Sequence, residues 1–422
     1  MKEIKIGKRV ISRDFLLFLI SSALLGITVA VETTSLTNRL VEDLNFTVTQ
    51  RAQLEFPREI PGLLVVFLVG GLAFLGDIRT AAVANIVGGF GLFMFGLVPA
   101  GYLPVVATLM IYNMGTHIYM PMQGAISMSF AKGENIGRRL GQVQSINMLA
   151  LIVTAGALFL LYHFVKVPFV VSFTMGAIAM VLAGVVFLFM KPTAGAQVNG
   201  VQTDGTPIKR KRLVFKKKYK LFYLLCLIFG MRKQITITFV PLLLVTVFEQ
   251  PVVTLTILFF IVSILNVFFR PWLGGFIDKM GERFVLMFEG SLIFIACLGF
   301  AFSKVLFPEA EIVFNLSESE IRLSVALLIV AGCYILDNLF SGAGMARTTY
   351  VRRLSDDPNE VSSTLALGIS LDHVLSMSVP TVAGLLWESE WSNGNGYIYV
   401  FCGGLVIAVL NLLISSRIRV PK

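Results

Sequence analysis

The sequence predicts an all-α membrane protein of twelve transmembrane helices in two bundles of six. Hydrophobic residues fill 56% of the 422 positions and charged residues only 14%, against roughly 45 to 50% and about 25% in soluble domains. Twelve apolar runs recur along the chain, each near the roughly 20 residues that carry a helix across about 30 Å of hydrocarbon. Basic residues gather in alternate connections between these runs, as they do on the cytoplasmic side of a membrane.

The first six runs lie at 14–36, 52–75, 80–99, 103–130, 138–162 and 167–190. The first is expected to be a span and not a cleaved leader, because it is long and lacks a small-residue cleavage pattern before a soluble domain. The second opens with Glu55, Arg58 and Glu59, which share a helical face by their spacing, and holds Pro57 and Pro61, able to break a helix where it begins. The fourth carries Asn113 and His117 and the fifth Asn147. The last six runs lie at 219–247, 252–276, 284–304, 322–346, 361–386 and 396–416. Among them the seventh contains Arg232 and Lys233, the tenth Asp337 and Asn338, and the eleventh Asp372 and His373.

An even number of spans puts both termini on one side. Lys2, Lys5, Lys8, Arg9 and Arg13 precede the first run; Arg79, Lys132, Arg138, Arg139, Lys279, Arg283, Arg347, Arg352 and Arg353 fall in even-to-odd connections; Arg417, Arg419 and Lys422 close the chain. This side is expected to be cytoplasmic in a cell membrane. The opposite connections hold mainly Arg39, Arg51, Lys166, Lys304 and Arg322, beside acids such as Glu309, Glu311, Glu318, Glu388 and Glu390. The net charge of +10 therefore follows loop polarity and forms no aromatic-interleaved stripe, so nucleic acid is not an expected partner. Cys226, Cys297, Cys333 and Cys402 all lie in apolar runs without metal-ligand spacing and read as packing residues.

One long polar stretch divides the chain into residues 1–190, a basic linker at 191–218 and residues 219–422. Its beginning, Pro192 to Pro207, is rich in Gly, Thr, Gln and Asn, the composition of a flexible tether. Its end, Lys209 to Arg212 and Lys216 to Lys218, either anchors topology or meets anionic lipid headgroups. The halves echo one another. A constant offset lays Tyr112-Asn113 over Asp337-Asn338, and Ser145-Ile-Asn147 over Ser370-Leu-Asp372. The second run ends in Gly71-Leu-Ala-Phe-Leu-Gly-Asp77-Ile-Arg79 and the eighth in Gly274-Gly-Phe-Ile-Asp278-Lys-Met-Gly281-Glu-Arg283.

The latter segment resembles the loop signature of the major facilitator superfamily: Gly, spacer, Asp, a base, spacer, Gly, spacer, a base. The resemblance implies two six-helix bundles that rock about a midplane site, with a cytoplasmic gate around Gly274, Asp278, Gly281 and Arg283 and, in the first copy, Asp77 and Arg79. The first copy departs from the pattern after Arg79, where Thr80-Ala-Ala82 replaces the second glycine and the basic pair. In the fourth run Gln123-Gly124 match the motif of proton-coupled drug exporters, but Met120 holds the arginine's place. His117, one turn earlier, is a candidate substitute. The Gly-Pro signature of antiporters is absent from Ala150 to Ala157, and no sugar-porter pattern is found.

Ionised groups inside hydrocarbon cost at least about 2.5 to 3.5 kcal/mol each and face a wet or paired interior. At about 1.5 Å per helical residue, Asp372 lies about 16 Å into its run with His373 beside it, Asp337 about 15 Å above Arg347, Arg232 about 18 Å past Lys220, and His117 about 22 Å from Lys132. These depths converge near the midplane. Asp337 with Asn338 and Asp372 with His373 either bind solute or protons or close a structural ion pair. Arg232 and Lys233 point about 100° apart, and Arg232 is the expected cavity residue. His117 is either a satisfied polar group or, as an imidazole, a group able to exchange protons near neutral pH. Asn113 and Asn147 join this candidate set. Glu32, about 27 Å along the first run, and Arg58 and Glu59, about 27 to 28 Å from Asp77, are expected near the outer surface with Glu55, as an outer gate or a solvated interface.

The expected function is secondary active transport of a small polar or charged organic solute by alternating access, coupled to protons or another ion, by a monomer embedded in lipid. A drug or metabolite efflux antiporter and a non-transporting receptor are the alternatives. The sequence has no His-Glu-x-x-His, phosphate-cradling loop or nucleophile motif, so neither an enzyme nor a metal or cofactor is expected.

Overall fold

The computed structural model describes residues 3–6, 9–131, 135–190, 213–316, 319–389 and 393–419. Among these the chain is helical, with two small antiparallel hairpins: β1 (Glu3–Ile6) with β2 (Arg9–Ser12), and β3 (Glu311–Leu316) with β4 (Ser319–Ser324). Neither hairpin is expected from the apolar runs. In the second, Ile312, Phe314 and Leu316 fall at every other position of one strand and Ile321 and Leu323 at every other position of the next, a period-2 pattern.

The first half contains α1 (Arg13–Asn38), α2 (Val48–Leu63), α3 (Val65–Gly71), α4 (Gly76–Leu97), α5 (Tyr102–Ser129), α6 (Ile136–Leu160) and α7 (Phe169–Leu188). The second contains α8 (Lys220–Gln234), α9 (Val240–Leu242), α10 (Val252–Met280), α11 (Glu282–Leu306), α12 (Val325–Phe340), α13 (Gly344–Leu354), α14 (Val361–Ser376), α15 (Val379–Trp387) and α16 (Gly396–Ser415). Ten helical stretches among the described residues are long and apolar enough to cross a membrane. The expected spans 52–75 and 103–130 are helical without joining those ten. In α5 the 28 residues are long enough, at about 42 Å, but Asn113, His117 and Gln123 dilute their hydropathy. The 52–75 stretch is divided, with α2 ending at Leu63, α3 beginning at Val65 and a tight turn at Ala73–Leu75. Pro57 and Pro61 sit inside α2 and do not break its beginning. A capping box fixes that beginning instead: the Thr47 hydroxyl accepts from the Gln50 N–H while the Gln50 side chain accepts from the Thr47 N–H.

Helices α1, α6 and α7 pack together, and α4 packs on α5 and α7. Small residues allow this: a Cβ on Gly115 would fall 2.4 Å from the Ala84 carbonyl oxygen and 2.5 Å from the Gly88 Cα. Further along the chain, α8 packs on α14 and α16, and α11 on α12 and α16. Contacts between these groups run through α6 with α10, and through α14 with α2, α3 and α5.

Of the linker expected at 191–218, residues 191–212 lie outside the described residues, Lys209 to Arg212 among them. The described end packs onto the second half. Val214 is buried, and its carbonyl accepts from the Tyr223 hydroxyl at 3.2 Å. Lys216 pairs with the buried Glu360, and Lys218 with Asp356 at 2.8 Å. That hydrogen bond and charge from Lys218 hold the exposed Asp356 carboxyl below the usual range.

Candidate functional site

At three places charged side chains meet where helices of different parts of the chain converge, and at a fourth a single cation sits among neutral partners. In the first, the Arg232 guanidinium of α8 donates to Glu289 of α11 at 2.9 Å and to Asp337 of α12 at 2.6 Å. Arg347 of α13 stands 3.7 Å from the other Glu289 oxygen and 3.9 Å above the centroid of the Phe229 ring. All four charged groups are buried, and two cations balance two anions. Burial of that kind is tolerable only while every member is present. Arg232 is therefore held by acids of the second half. Its neighbour Lys233, rotated about 100° around the helix, reaches Asp372 of α14 at 3.2 Å and is the more accessible, with 27% of its side chain exposed against 8% for Arg232. Arg232, the expected cavity residue, is thus the more enclosed of the two, held by Glu289 and Asp337. Glu289 was not singled out from the sequence, although a lone acid within an apolar run is the signal that finds it.

The second place joins Glu59 of α2, His117 of α5 and His373 of α14. His117 Nε2 and His373 Nε2 are 3.1 Å apart, and Glu59 Oε2 lies 3.0 Å from His373 Nε2 and 3.8 Å from His117 Nε2. Both rings are buried. Each Nδ1 meets a main-chain carbonyl of its own helix, Asn113 for His117 at 2.7 Å and Ile369 for His373 at 2.8 Å. Gly62 makes the space, since a Cβ there would fall 2.4 Å from His373 Nε2 and 2.7 Å from the Cδ2 of His117. Glu59 is thus not grouped at an outer surface apart from the histidines. The depth estimate assumed one straight helix from Asp77, whereas the chain turns at Leu64 and again at Ala73–Leu75.

Next to it, Arg58 donates to Glu32 of α1 at 2.8 Å, and the Tyr112 hydroxyl donates to the second Glu32 oxygen at 2.7 Å. The side chain of Glu55 lies outside the described ones. Asn113 contributes its carbonyl to His117; Asn147 donates from its amide to Ser22 O of α1 at 3.0 Å; Asn338 donates to Tyr334 O of its own helix at 2.9 Å. The side chains of Asn147 and Asn338 thus fasten main chain, whereas Asn113 acts here through its backbone.

The fourth place is a cavity of about 150 Å³ lined by Gln123, Ser127, Gln144, Arg270, Ser341 and Thr348 among others. Arg270 of α10 donates to Asn266 at 2.9 Å, Gln144 at 3.1 Å and Ser341 at 3.3 Å. All three acceptors are neutral. Gly342 leaves room for the guanidinium, because a Cβ there would fall 2.7 Å from an Arg270 terminal nitrogen. Arg270 too was missed in the sequence, where it looks like part of the basic end of an apolar run.

Of the residues expected to form a gate, Gly274 and Asp278 lie where α6 meets α10. Asp278 accepts from the N–H groups of Gly137 at 2.7 Å and Arg138 at 2.8 Å, so its carboxylate caps the start of α6. Gly274 faces Gly137, and a Cβ on Gly274 would fall 2.1 Å from the Gly137 carbonyl oxygen. Gly281 ends α10 at φ 82°, in the left-handed region that glycine adopts without strain. Arg283 and Arg79 are exposed, and Asp77 is half-buried in the first turn of α4.

The sequence profile of the Major Facilitator Superfamily matches residues 15–371. No curated protein matches the chain by sequence. Among solved structures, the human organic anion transporter MFSD10 (TETRAN) is similar with a TM-score of 0.65 at 10% identity, over 96% of this chain and 99% of that one. A bacterial homologue of the iron transporter ferroportin, in an outward-facing state, is similar with a TM-score of 0.72 at 11% identity, over 96% and 98% of the respective chains. At those identities the likeness is one of fold.

Proposed function

The chain belongs to the Major Facilitator Superfamily, and from that premise we propose that it is a secondary transporter that moves a small organic anion through the membrane by alternating access. Membership and fold support a multi-pass membrane transporter rather than an enzyme. The single observation that carries the anionic solute is Arg270. The Arg232 and Lys233 cations have carboxylate partners, while Arg270 has neutral ones and borders a cavity between helices of both halves. A guanidinium so placed has donors to spare for a carboxylate or phosphate, and Gln123, Gln144, Ser341 and Thr348 would orient the remainder of the solute.

In this reading twelve helices form two six-helix bundles, residues 1–190 and 219–422, joined by 191–218, with both termini cytoplasmic in a cell membrane. Proton coupling is assigned to Asp337, which shares Arg232 with Glu289 and would release it on protonation. The test is binding and flux. Anions that raise the melting temperature of the purified protein should drive uptake into proteoliposomes, and R270Q should weaken their binding about tenfold or more, the loss of one charged hydrogen bond. Undiminished anion binding in R270Q would instead make Arg270 a structural pin between α6, α10 and the turn that follows α12. Solute flux in D337N that remains driven by a proton gradient would remove the coupling assignment.

A further inference from the structure

His117 Nδ1 and His373 Nδ1 each meet a carbonyl oxygen, which only accepts. Both Nδ1 atoms therefore carry the ring proton, and in the neutral tautomer both Nε2 atoms present lone pairs. They present them to each other, at 3.1 Å, and to a carboxylate oxygen at 3.0 and 3.8 Å. Three electron-pair donors thus converge with no hydrogen among them. Such a cluster needs a cation at its centre. With metal–ligand bonds of about 2.0 to 2.1 Å, tetrahedral ligands stand about 3.3 Å apart, and the three observed separations straddle that value. The carbonyl on the far nitrogen of each ring is the arrangement that fixes tautomer and orientation in metal-binding histidines.

We propose that Glu59, His117 and His373 form a binding site for one divalent transition-metal cation of the Zn²⁺ class. Two imidazoles and one carboxylate suit Zn²⁺ and its neighbours, and disfavour Mg²⁺ and Ca²⁺, which take all-oxygen shells. Glu59, with 33% of its side chain exposed, is the ligand most open to solvent. The nearby Lys233 ammonium does not compete for Glu59, because it is paired with Asp372. The ligands are spread over α2, α5 and α14, too far apart in sequence for any spacing motif to announce them. A cation there ties α14 to helices of the first half. Resting on the alternating-access reading, it is a clasp on the conformation in which those helices meet.

Calorimetric titration of Zn²⁺ into purified, chelator-treated protein tests the site without reference to transport. One Zn²⁺ per chain is expected, with an intense visible absorption when Co²⁺ is used instead, the mark of tetrahedral coordination. H117Q/H373Q should lose binding, while E59Q and G62A should weaken it about tenfold or more, G62A by displacing rings whose ligand atoms are all retained. A monodisperse H117Q/H373Q sample serves as the folding control. If that variant bound Zn²⁺ as the parent does, or the folded parent bound none, the histidine pair would hold a shared proton and the proposal would fail. Zn²⁺ binding that persists in a protein without anion flux would leave the metal site standing and remove the transport reading alone.

Discussion

Arg232 illustrates why charge must be counted before it is assigned a task. Its place inside an apolar run could be read from the sequence, but not its partners, because Glu289 and Asp337 come from helices dozens of residues away. The network holds two cations and two anions in a buried place, so removing one member leaves an uncompensated charge. E289Q should lower stability by about 3 to 5 kcal/mol, the scale for breaking a buried pair, and lower the thermal midpoint of the purified protein. An unchanged midpoint would mean that water reaches the network. By the same logic G342A, which adds a methyl where the Arg270 guanidinium passes, should reduce anion binding while leaving every polar group in place, a difference readable by ligand-induced thermal shift.

Helices were legible where they were uniformly apolar and obscure where they were polar or bent. The runs at 80–99, 167–190 and 396–416 correspond to α4, α7 and α16 within a few residues. The run at 52–75 did not, since the turn at Leu64 leaves no composition signal, and counting straight through it misplaced Glu59. The end of α10 was better served by its signature: an acid followed by a glycine describes a cap and a left-handed turn, and both occur at Asp278 and Gly281. D278N should weaken the capping of α6 by about 1 kcal/mol, since an amide oxygen still accepts one hydrogen bond but brings no charge to the helix dipole. G274V should act more strongly on the α6 and α10 contact. A cysteine placed on the facing side of α6 should then react faster with a water-soluble maleimide, and equal rates would show that the two helices part freely without the substitution.

At the scale of the molecule, the charge asymmetry of the loops sets a topology that contacts alone do not give. A fluorescent-protein fusion after Lys422 should be bright and an alkaline phosphatase fusion at the same place silent; the reverse pair would place the termini outside. Within residues 1–190 α1 packs with α6 and α7, within residues 219–422 α8 packs with α14 and α16, and α6 with α10 joins the two stretches. What joins the halves at their contact face was not visible, for Gly137 against Gly274 and Glu59 against His373 pair residues whose separation no periodicity records.

The last part of the tether, from Val214 to Lys218, is fastened to the second half through Glu360 and Asp356. The chain that connects the halves is therefore a rope whose described end is knotted before α8 begins. Because Glu360 immediately precedes α14, the knot is tied to the helix that carries Asp372 and His373. Tension in the rope would arrive at that helix first, as a pull on its near end, before any other part of the second half felt it.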